Sequence, residues 1–251
     1  KHRIPKISEG ENKYIIKILK IVKKKKIKLI IPVTDFDLNI LSKNKEKLKK
    51  LNCQTLISDN QLIKNLIDKK KCSDLCVQKK ILSPKVFSNL KDLRKSKKNI
   101  FVRKKRFGHA GEGFKIIRKI DNKIFKDKAY IVQNYIKGRE IHIDILNDFD
   151  GNYVASCAKE KLSIKFGETQ SAKTLTNNKI NLLAKEISKK LGHIGNLDCD
   201  AIIDKKNNVY FIDFNPRFGG GYPFTHLAGL NFIEATINLL IKKKNFKIKK
   251  T

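Results

Sequence analysis

A short segment near the carboxyl end, Val209 to Gly221 (VYFIDFNPRFGGG), carries residue types that together suit phosphate chemistry. Asp213, Asn215 and Arg217 fall on one side of a predicted strand, because successive strand side chains point to opposite faces. Carboxylate and amide oxygens suit Mg²⁺, a guanidinium suits a phosphate, and Pro216 ends the ladder where a site would open. The segment predicts a cation and phosphate site, against the simpler alternative of a strand end turning polar before a loop.

A second predicted strand brings further carboxylates to the same place. Leu197 to Ile203 (LDCDAII) carries Asp198 and Asp200 on one face, and a short turn joins it to the strand of Asp213. The two strands are therefore expected to pair antiparallel, with Asp200 near Asp213 and Asn215 across the ladder. Facing carboxylates are costly unless a cation lies between them. We predict a metal site built from Asp200, Asp213 and Asn215.

A loop rich in glycine is the second feature that could hold a phosphate. Two predicted strands, 99–103 and 114–120, are joined by KKRFGHAGEG. Its glycines allow positive φ and leave backbone N–H groups free to surround an anion. The flanking elements are both strands and GxxxxGK[ST] is absent, so this is not a Walker loop. It is interpreted as a flexible flap over a phosphate, although an ordinary mobile hairpin would look the same. The residues concerned are Lys104, Lys105, Gly108, Gly111 and Gly113.

Hydrophobic periodicity predicts the elements that position these residues. Helices alternate with short apolar strands in the first quarter of the chain, which favours a parallel sheet covered by helices. Thr34–Asp35, after the first strand, is a candidate ligand loop or a simple helix N-cap. Glu140 to Leu146 is interpreted as a half-exposed antiparallel strand after a turn at Lys137–Gly138–Arg139. The predicted helices are 11–26, 36–51, 60–66, 69–80, 178–191 and 231–243. The predicted strands are 28–33, 53–58, 99–103, 114–120, 130–136, 140–146, 152–158, 197–203 and 209–215.

The charge balance is strongly basic, with 57 basic and 24 acidic side chains and a formal net charge of +33. Such a balance is typical of nucleic-acid binders. Only 7 of the basic residues are arginine, so 57 − 7 = 50 are lysine, scattered with Ile and Asn over predicted helix faces. This pattern indicates solvated surfaces rather than an arginine-rich groove. We expect no specific nucleic-acid partner, only a general attraction of anionic ligands.

The cysteines and the hydropathy of the chain indicate its cellular location. The five cysteines are irregularly spaced and form no CxxC motif. Cys72 and Cys76 lie at i, i+4 on a predicted helix and could present two thiolates to a metal, but no second pair accompanies them. Buried free thiols are therefore expected. No apolar run reaches the length of a membrane-spanning helix, so we expect no membrane partner and a cytoplasmic location. The chain contains no methionine and is expected to lack its natural start.

The order of these motifs resembles the ATP-grasp superfamily, and particularly its carbamoyl-phosphate-synthase-like carboxylate–amine ligases. The resemblance covers nearly the whole chain. It implies an α/β (α+β) fold: a partial parallel-sheet N-terminal domain at 1–67, followed by a two-subdomain ATP-grasp fold with an antiparallel sheet at 68–251. The small lid subdomain would be 68–132, and the larger subdomain with the metal site would be 133–251.

The resemblance also implies roles for particular residues. Asp68–Lys69 and Lys104 match phosphate-contacting positions, while the segment 133–136 would frame the adenine and Glu140 would hold the ribose. The implied nucleotide-binding residues are Lys69, Lys104, Gly108, Gly111, Gly113, Gln133, Tyr135, Ile136, Glu140 and Arg217. Lys105 stands where relatives usually have proline, and Asn134 where they usually have glutamate.

The activity implied by the resemblance is ATP-dependent ligation of a carboxylate to an amine. The carboxylate would be activated as an acyl phosphate, with Lys104 and Arg217 as catalytic cations and with two Mg²⁺ ions (or Mn²⁺) on Asp200, Asp213 and Asn215. The partners would be small-molecule carboxylate and amine substrates, and an oligomer is an open alternative. Lys161, Lys165 and Lys173 are candidate carboxylate-binding groups, and Gly219–Gly221 either contacts the acceptor or only forms a tight turn. His109, His142 and His226 are expected to be structural or substrate-contacting.

Two alternatives from other functional classes remain open at this stage. The departures at Lys105 and Asn134 suit a degenerate ATP-binding module without turnover. The net charge suits a basic nucleic-acid binder, whose binding would weaken with salt and would survive loss of Asp213.

Overall fold

The strands of the protein form three sheets, in a computed structural model that describes residues 2–108, 111–165 and 167–241. The helices are α1 (Glu11–Lys25), α2 (Asp35–Lys43), α3 (Lys45–Lys49), α4 (Asn60–Ile67), α5 (Lys69–Gln78), α6 (Leu90–Arg94), α7 (Asn178–Leu191), α8 (Tyr222–Leu227) and α9 (Phe232–Leu240). The strands are β1 (Leu29–Ile30), β2 (Gln54–Thr55), β3 (Val86–Phe87), β4 (Phe101–Lys105), β5 (Lys115–Ile117), β6 (Tyr130–Asn134), β7 (Gly138–Asn147), β8 (Tyr153–Lys165), β9 (Glu168–Thr174), β10 (Gly195–Asp204) and β11 (Val209–Asn215). The last two positions of the predicted final helix, 242 and 243, lie outside the described residues.

The N-terminal sheet is small and parallel, as the alternation of helices and strands predicts. β1 pairs with β2, with Leu29 opposite Gln54. The single helix predicted over 36–51 is wrong, because the chain forms α2 and α3 with a break at Asn44. The Asn44 side chain donates a hydrogen bond to the Ile40 carbonyl (2.8 Å). Such local side-chain bonds compete with the helical ladder.

The other two sheets are antiparallel. One has the order β11-β10-β7-β8-β9 and the other the order β3-β6-β4-β5, so the chain changes sheets between β6 and β7. The turn predicted at Lys137–Gly138–Arg139 is therefore wrong, since Gly138 and Arg139 already belong to β7. The mixed fold with a small parallel sheet and larger antiparallel sheets is confirmed.

β7 is the central strand of the five-stranded sheet and is covered on both faces. The half-exposed strand predicted there is wrong, because every residue from Ile141 to Asn147 is buried. Ile143 and its apolar neighbours join a core that includes α7. The alternation with His142 and Asp144 looked like a solvent face. Other polar side chains and the segment after β11 cover that face instead.

The edge of this sheet was also mispredicted. β8 runs on to Lys165 rather than ending at Ala158, and it pairs with a strand, β9, that the sequence did not predict. β9 reads ETQSAKT and carries no apolar alternation, because it lies at the sheet edge. Hydrophobic periodicity therefore gave no signal for it.

Gly138 marks a very close approach between β7 and β10. A Cβ added there would lie 2.1 Å from the Ile203 carbonyl oxygen. Gly138→Ala is expected to lower the free energy of unfolding by at least about 2 kcal/mol, because backbone must move. Urea unfolding measures this. Gly192→Ala is the control, since Gly192 has φ +58 and open space around it. It should cost only about 1 kcal/mol for the left-handed backbone. Equal losses in the two variants would contradict the clash.

His193 predicts a pH dependence of stability. It is completely buried, its Nε2 donates to the Ile145 carbonyl (3.1 Å), and burial lowers its pKa to about 4. In the unfolded chain His193 is protonated as the pH falls below about 6.5, whereas in the folded chain it is protonated only near pH 4. Stability should fall as pH drops through this window, by about 3 kcal/mol from this residue. Urea unfolding between pH 4.5 and 7.5 tests it. His193→Gln should show a shallower slope, and an unchanged slope would contradict the assignment.

All five cysteines are free and buried, as expected. None of the helices within the described ranges is long and apolar enough to cross a membrane.

Candidate functional site

A cavity of about 700 Å³ gathers nearly all of the predicted site residues. Both antiparallel sheets and the segment after β1 contribute to its wall. The predicted site residues that line it are Lys69, Lys104, Gly108, Gly111, Gln133, Tyr135, Ile136, Glu140, Asp200, Asp213, Asn215 and Arg217. Gly113 does not line it. Gly113 has φ +69 and packs against Tyr130, whose ring would lie 2.8 Å from an added Cβ.

The predicted metal ligands lie on paired strands. β10 and β11 are antiparallel, with Asp200 directly opposite Asp213 and with Asp198 opposite Asn215. The short turn after β10 sets this register, and a bulge follows Asp200. All four side chains line the cavity. The arrangement therefore brings three carboxylates and an amide oxygen from neighbouring strands to one wall.

Asp200 is held as a carboxylate by two neighbours. Lys161 Nζ lies 2.7 Å and His142 Nδ1 lies 3.3 Å from Asp200 Oδ1. Burial alone would raise the pKa of Asp200, but the His142 hydrogen bond and the Lys161 charge outweigh it and hold the pKa well below its usual range. Asp200 is consequently ionised at neutral pH and can act as an anionic oxygen ligand.

Two of the predicted lysines, Lys69 and Lys104, also line the cavity. Lys69 Nζ is 3.4 Å from Asp213 Oδ2 and donates to the Gly108 carbonyl (2.7 Å). Lys104 Nζ donates to the Ile212 carbonyl (2.9 Å), and burial lowers its pKa even though Asp213 opposes the shift. Both ammonium groups therefore belong to cavity-lining side chains, and Lys69 forms an ion pair with Asp213.

The base of the flap is fixed to the start of α5. Asp68 caps this helix and accepts two hydrogen bonds from Arg106, of 2.7 and 2.6 Å. Burial raises the pKa of Asp68, but the Arg106 hydrogen bond and charge outweigh it and lower the pKa. The Lys69 amide also donates to the Arg106 carbonyl (3.1 Å). Lys69 therefore keeps a defined position relative to the flap.

Arg217 links the N-terminal segment to β10. Its Nε lies 2.8 Å from Asp35 Oδ1, and its Nη1 lies 3.0 Å from Asp198 Oδ2. Thr34 takes the N-cap position of α2 but makes no side-chain cap hydrogen bond. It donates instead to Asp37. Since Thr34 and Asp35 both line the cavity, this loop belongs to the site and is more than a helix cap.

His142 lies among three carboxylates. Its Nε2 is 3.3 Å from Asp144 Oδ2, and its Nδ1 is 3.3 Å from both Asp198 Oδ1 and Asp200 Oδ1. Burial lowers the pKa of His142, but the charges of Asp198 and Asp144 outweigh it and raise the pKa to about 10. Burial raises the pKa of Asp198 to about 6 against the His142 charge. One ligand atom each from His142, Asp198 and Asp200 lies within 4.8 Å of the others, but with its raised pKa His142 is an imidazolium that pairs with these carboxylates and offers no lone pair to a metal ion.

Two further histidines, His109 and His226, were candidates in the sequence. His226 is exposed and does not line the cavity. His109 lies outside the described residues.

The far end of the cavity is formed by β6 and the residues that follow it. Gln133 is largely buried, and Asn134, Tyr135 and Ile136 also line the wall. Asn134 Oδ1 is buried and accepts no hydrogen bond within the described part of the chain. Tyr135 and Ile136 give this end of the cavity apolar surface.

Residues 66–221 match a family model described as an ATP-grasp domain. This match covers more than half of the chain. The chain belongs to the ATP-grasp family. Residues 2–56 also match a model described as a PylC-like N-terminal domain.

Solved structures confirm the ATP-grasp fold. The biotin carboxylase domain of Hydrogenobacter thermophilus 2-oxoglutarate carboxylase, solved with MgADP, ADP and bicarbonate, has a TM-score of 0.74 at 15% identity, over 96% of this chain and 60% of that one. The L-amino acid ligase from Bacillus licheniformis has a TM-score of 0.69 at 20% identity, over 98% and 65%. An ADP complex of N5-carboxyaminoimidazole ribonucleotide synthetase has a TM-score of 0.70 at 12% identity, over 92% and 66%. The chain spans about three fifths of the length of the biotin carboxylase domains that it matches.

Sequence reasoning missed Lys159 and named Lys161 only as one of three candidate carboxylate-binding lysines. Lys161 lines the cavity, whereas Lys159 was treated as solvated surface and is buried. The available signal was that both lie at i, i+2 in β8, but the predicted strand ended too early to include them. Lys165 and Lys173 do not line the cavity.

Proposed function

We propose that this chain is an Mg²⁺-dependent ATP-grasp ligase that joins a carboxylate to an amine and releases ADP and phosphate. One observation carries the proposal. Asp200 and Asp213 lie opposite each other in register and line the same cavity as three cations, Lys69, Lys104 and Arg217. Carboxylate oxygens can hold the metal ion of a metal-bound polyphosphate. The cationic side chains can neutralise the negative charge of its phosphates.

The metal ligands in this proposal are Asp200, Asp213 and Asn215. Two carboxylates and an amide oxygen are hard donors that fit Mg²⁺, and Asp200 is ionised for the reasons given above. We propose two Mg²⁺ ions, with Mn²⁺ as an alternative. When bound, they neutralise phosphate charge. The solved relative from Hydrogenobacter contains MgADP, which supports this choice of cation.

The nucleotide is proposed to extend along the cavity wall. Its adenine would lie against Gln133, Tyr135 and Ile136, and Glu140 would hold the ribose. The glycine loop, with Gly108, Gly111 and Gly113, would cover the phosphates. Support comes from the position of these residues, all but Gly113 lining one cavity.

The chemistry proposed for the site is phosphoryl transfer followed by amide formation. A carboxylate oxygen attacks the γ-phosphorus of ATP, the bond to the ADP oxygen breaks, and an acyl phosphate forms. The amine then attacks the acyl carbon, phosphate leaves and the amine loses a proton. Lys69, Lys104 and Arg217 would neutralise charge as it shifts to the ADP oxygens. The flap would keep water away from the acyl phosphate.

The wider setting is also part of the proposal. We place the boundary between a substrate-side N-terminal domain and the ATP-grasp domain at 67/68, with a further division at 132/133. Small-molecule substrates, a cytoplasmic location and assembly into an oligomer suit an enzyme of this kind.

Release of ADP and phosphate tests the proposal. The purified chain would be incubated with ATP, MgCl₂ and a panel of amino acids and other carboxylates, each with and without an amine. We expect release that requires both substrates and stops when EDTA removes Mg²⁺. ATP binding without release across the panel would favour a degenerate module. Salt-sensitive nucleic-acid binding that survives Asp213→Ala would favour the basic binder.

A further inference from the structure

Lys159 is a fully buried cation that does not reach the cavity. Its side chain is 1% exposed, and its Nζ lies 2.5 Å from Oδ2 of Asp144, which is 0% exposed. The same ammonium donates to Thr225 Oγ1 and to the Gly221 carbonyl (3.2 Å). Thr225 Oγ1 in turn donates to Asp144 Oδ2 (2.6 Å). All three ammonium protons therefore have protein acceptors.

The other oxygen of Asp144 reaches the opposite end of the same turn. Asn196 Nδ2 donates to Asp144 Oδ1 (2.9 Å) and to the Arg217 carbonyl (3.2 Å). The Lys159–Asp144 pair thus contacts Gly221 directly and Arg217 through Asn196. We call the segment between these two carbonyls, residues 217–221, the glycine turn.

The glycine turn packs directly against the buried polar side chains Asp198 and His142. A Cβ added at Gly219 would lie 1.5 Å from Asp198 Oδ2, and one at Gly221 would lie 2.8 Å from His142 Cε1. The turn therefore has no room to shift inward, and the two carbonyl bonds restrain it from moving outward.

The position of the pair separates it from any bound ligand. Arg217, Gly220 and Gly221 line the cavity, whereas Lys159 and Asp144 do not. The pair can therefore influence a ligand only through its neighbours, which are the glycine turn and the cavity-lining His142, whose Nε2 lies 3.3 Å from Asp144 Oδ2.

We propose that the buried Lys159–Asp144 pair is a positioning device that fixes the glycine turn, and with it the Arg217 guanidinium and the adjoining cavity wall. Stability alone does not explain such a pair, because replacing a buried ion pair by uncharged groups of similar volume is often neutral or stabilising. Positioning of the turn does explain the pair. Lys159 donates to the Gly221 carbonyl, and Asp144 accepts from Asn196, which also donates to the Arg217 carbonyl. The consequence for turnover rests on the proposed function, but the consequence for the turn does not.

Hydrogen exchange in the double variant Asp144→Asn/Lys159→Met tests the proposal. This change removes both charges together, keeps an acceptor for Asn196 and deletes the bond to Gly221. We expect unchanged circular dichroism and a thermal midpoint close to that of the original chain. Mass spectrometry should show the amides of 217–222 exchanging about tenfold faster, because the turn opens more often. Amides of α7 should not change.

A milder variant and a surface control complete the exchange test. Thr225→Val removes only the hydroxyl that both members of the pair share, and it should raise exchange in the turn about threefold. Lys189→Met, at an exposed position on α7, should change nothing in the turn. Unchanged exchange at 217–222 in the folded double variant would overturn the proposal. If the double variant does not fold, unchanged exchange in Thr225→Val would do so.

Steady-state kinetics give a second test, because a purely structural role would not lower kcat selectively. Once a substrate pair is found, we expect the double variant to lose about tenfold in kcat while KM for ATP stays within about twofold, because Arg217 is displaced but the adenine end is intact. Equal loss of stability and activity would contradict positioning. If the original chain turns over no substrate pair, the proposed function has failed, and the exchange result still decides the role of the pair.

Discussion

Replacement of Asp213 by alanine is expected to lower Mg²⁺-dependent ATP turnover by about a thousandfold or more while the chain stays folded. A metal ligand supplies several kcal/mol of charge stabilisation in the transition state, and each 1.36 kcal/mol is tenfold in rate. Asp213 lies opposite Asp200 in the register and beside Lys69. Its loss would leave one carboxylate in place of two. ADP release measured against Mg²⁺ concentration tests this.

The fold should tolerate the Asp213 change. Lys69 would keep its bond to the Gly108 carbonyl, so no buried cation is left without an acceptor. Asp150→Ala, at an exposed position in the turn after β7, is the matched control and should retain full turnover. Normal turnover in Asp213→Ala would refute the metal assignment.

Replacement of Lys104 by methionine should lower kcat by about a hundredfold to a thousandfold, as removal of one charge-stabilising donor does in other enzymes. Lys104 extends from β4 into the cavity and lies close to Asp213, and burial lowers its pKa. Methionine keeps much of the side-chain volume but has no charge. Stability should change little, because a costly buried ammonium is removed while one carbonyl, that of Ile212, loses a donor. Single-turnover formation of ADP isolates the affected step.

The control for Lys104 is Lys115→Met, on the neighbouring strand β5. Lys115 is exposed and does not line the cavity, so its loss should leave kcat within about twofold. Equal loss of activity in both variants would indicate a general effect of positive charge on the sheet that contains β4 and β5. A Lys104→Met enzyme with unchanged kcat would exclude Lys104 from catalysis.

The pairing of the two carboxylate-bearing strands could be predicted from the sequence because its determinants are local. The alternation in VYFIDFN fixes which side chains share a face, and a short turn joins β10 to β11. Together these place Asp200 opposite Asp213, as the structure shows. Helix α7 could be predicted for the same reason, since its apolar residues recur at helical spacing and Asn177 caps it.

The remainder could not be predicted because its signals are long-range or masked by composition. β9 lies at a sheet edge and has no apolar alternation, so it carries no periodic pattern. Lys159 is one among many lysines, and only burial distinguishes it from solvated ones. The polar face of β7 is covered by segments that lie far away in sequence. Local periodicity contains no information about such a cover.

The ion pair between Asp35 and Arg217 joins positions 182 residues apart. The segment that matches the ATP-grasp model begins at residue 66, so it excludes one of the two carboxylates that neutralise this guanidinium. Electrostatically, that segment is incomplete by itself. A fragment cut at its boundary would gain a half-compensated cation in the cavity wall, and its affinity for anions would not report the affinity of the intact chain.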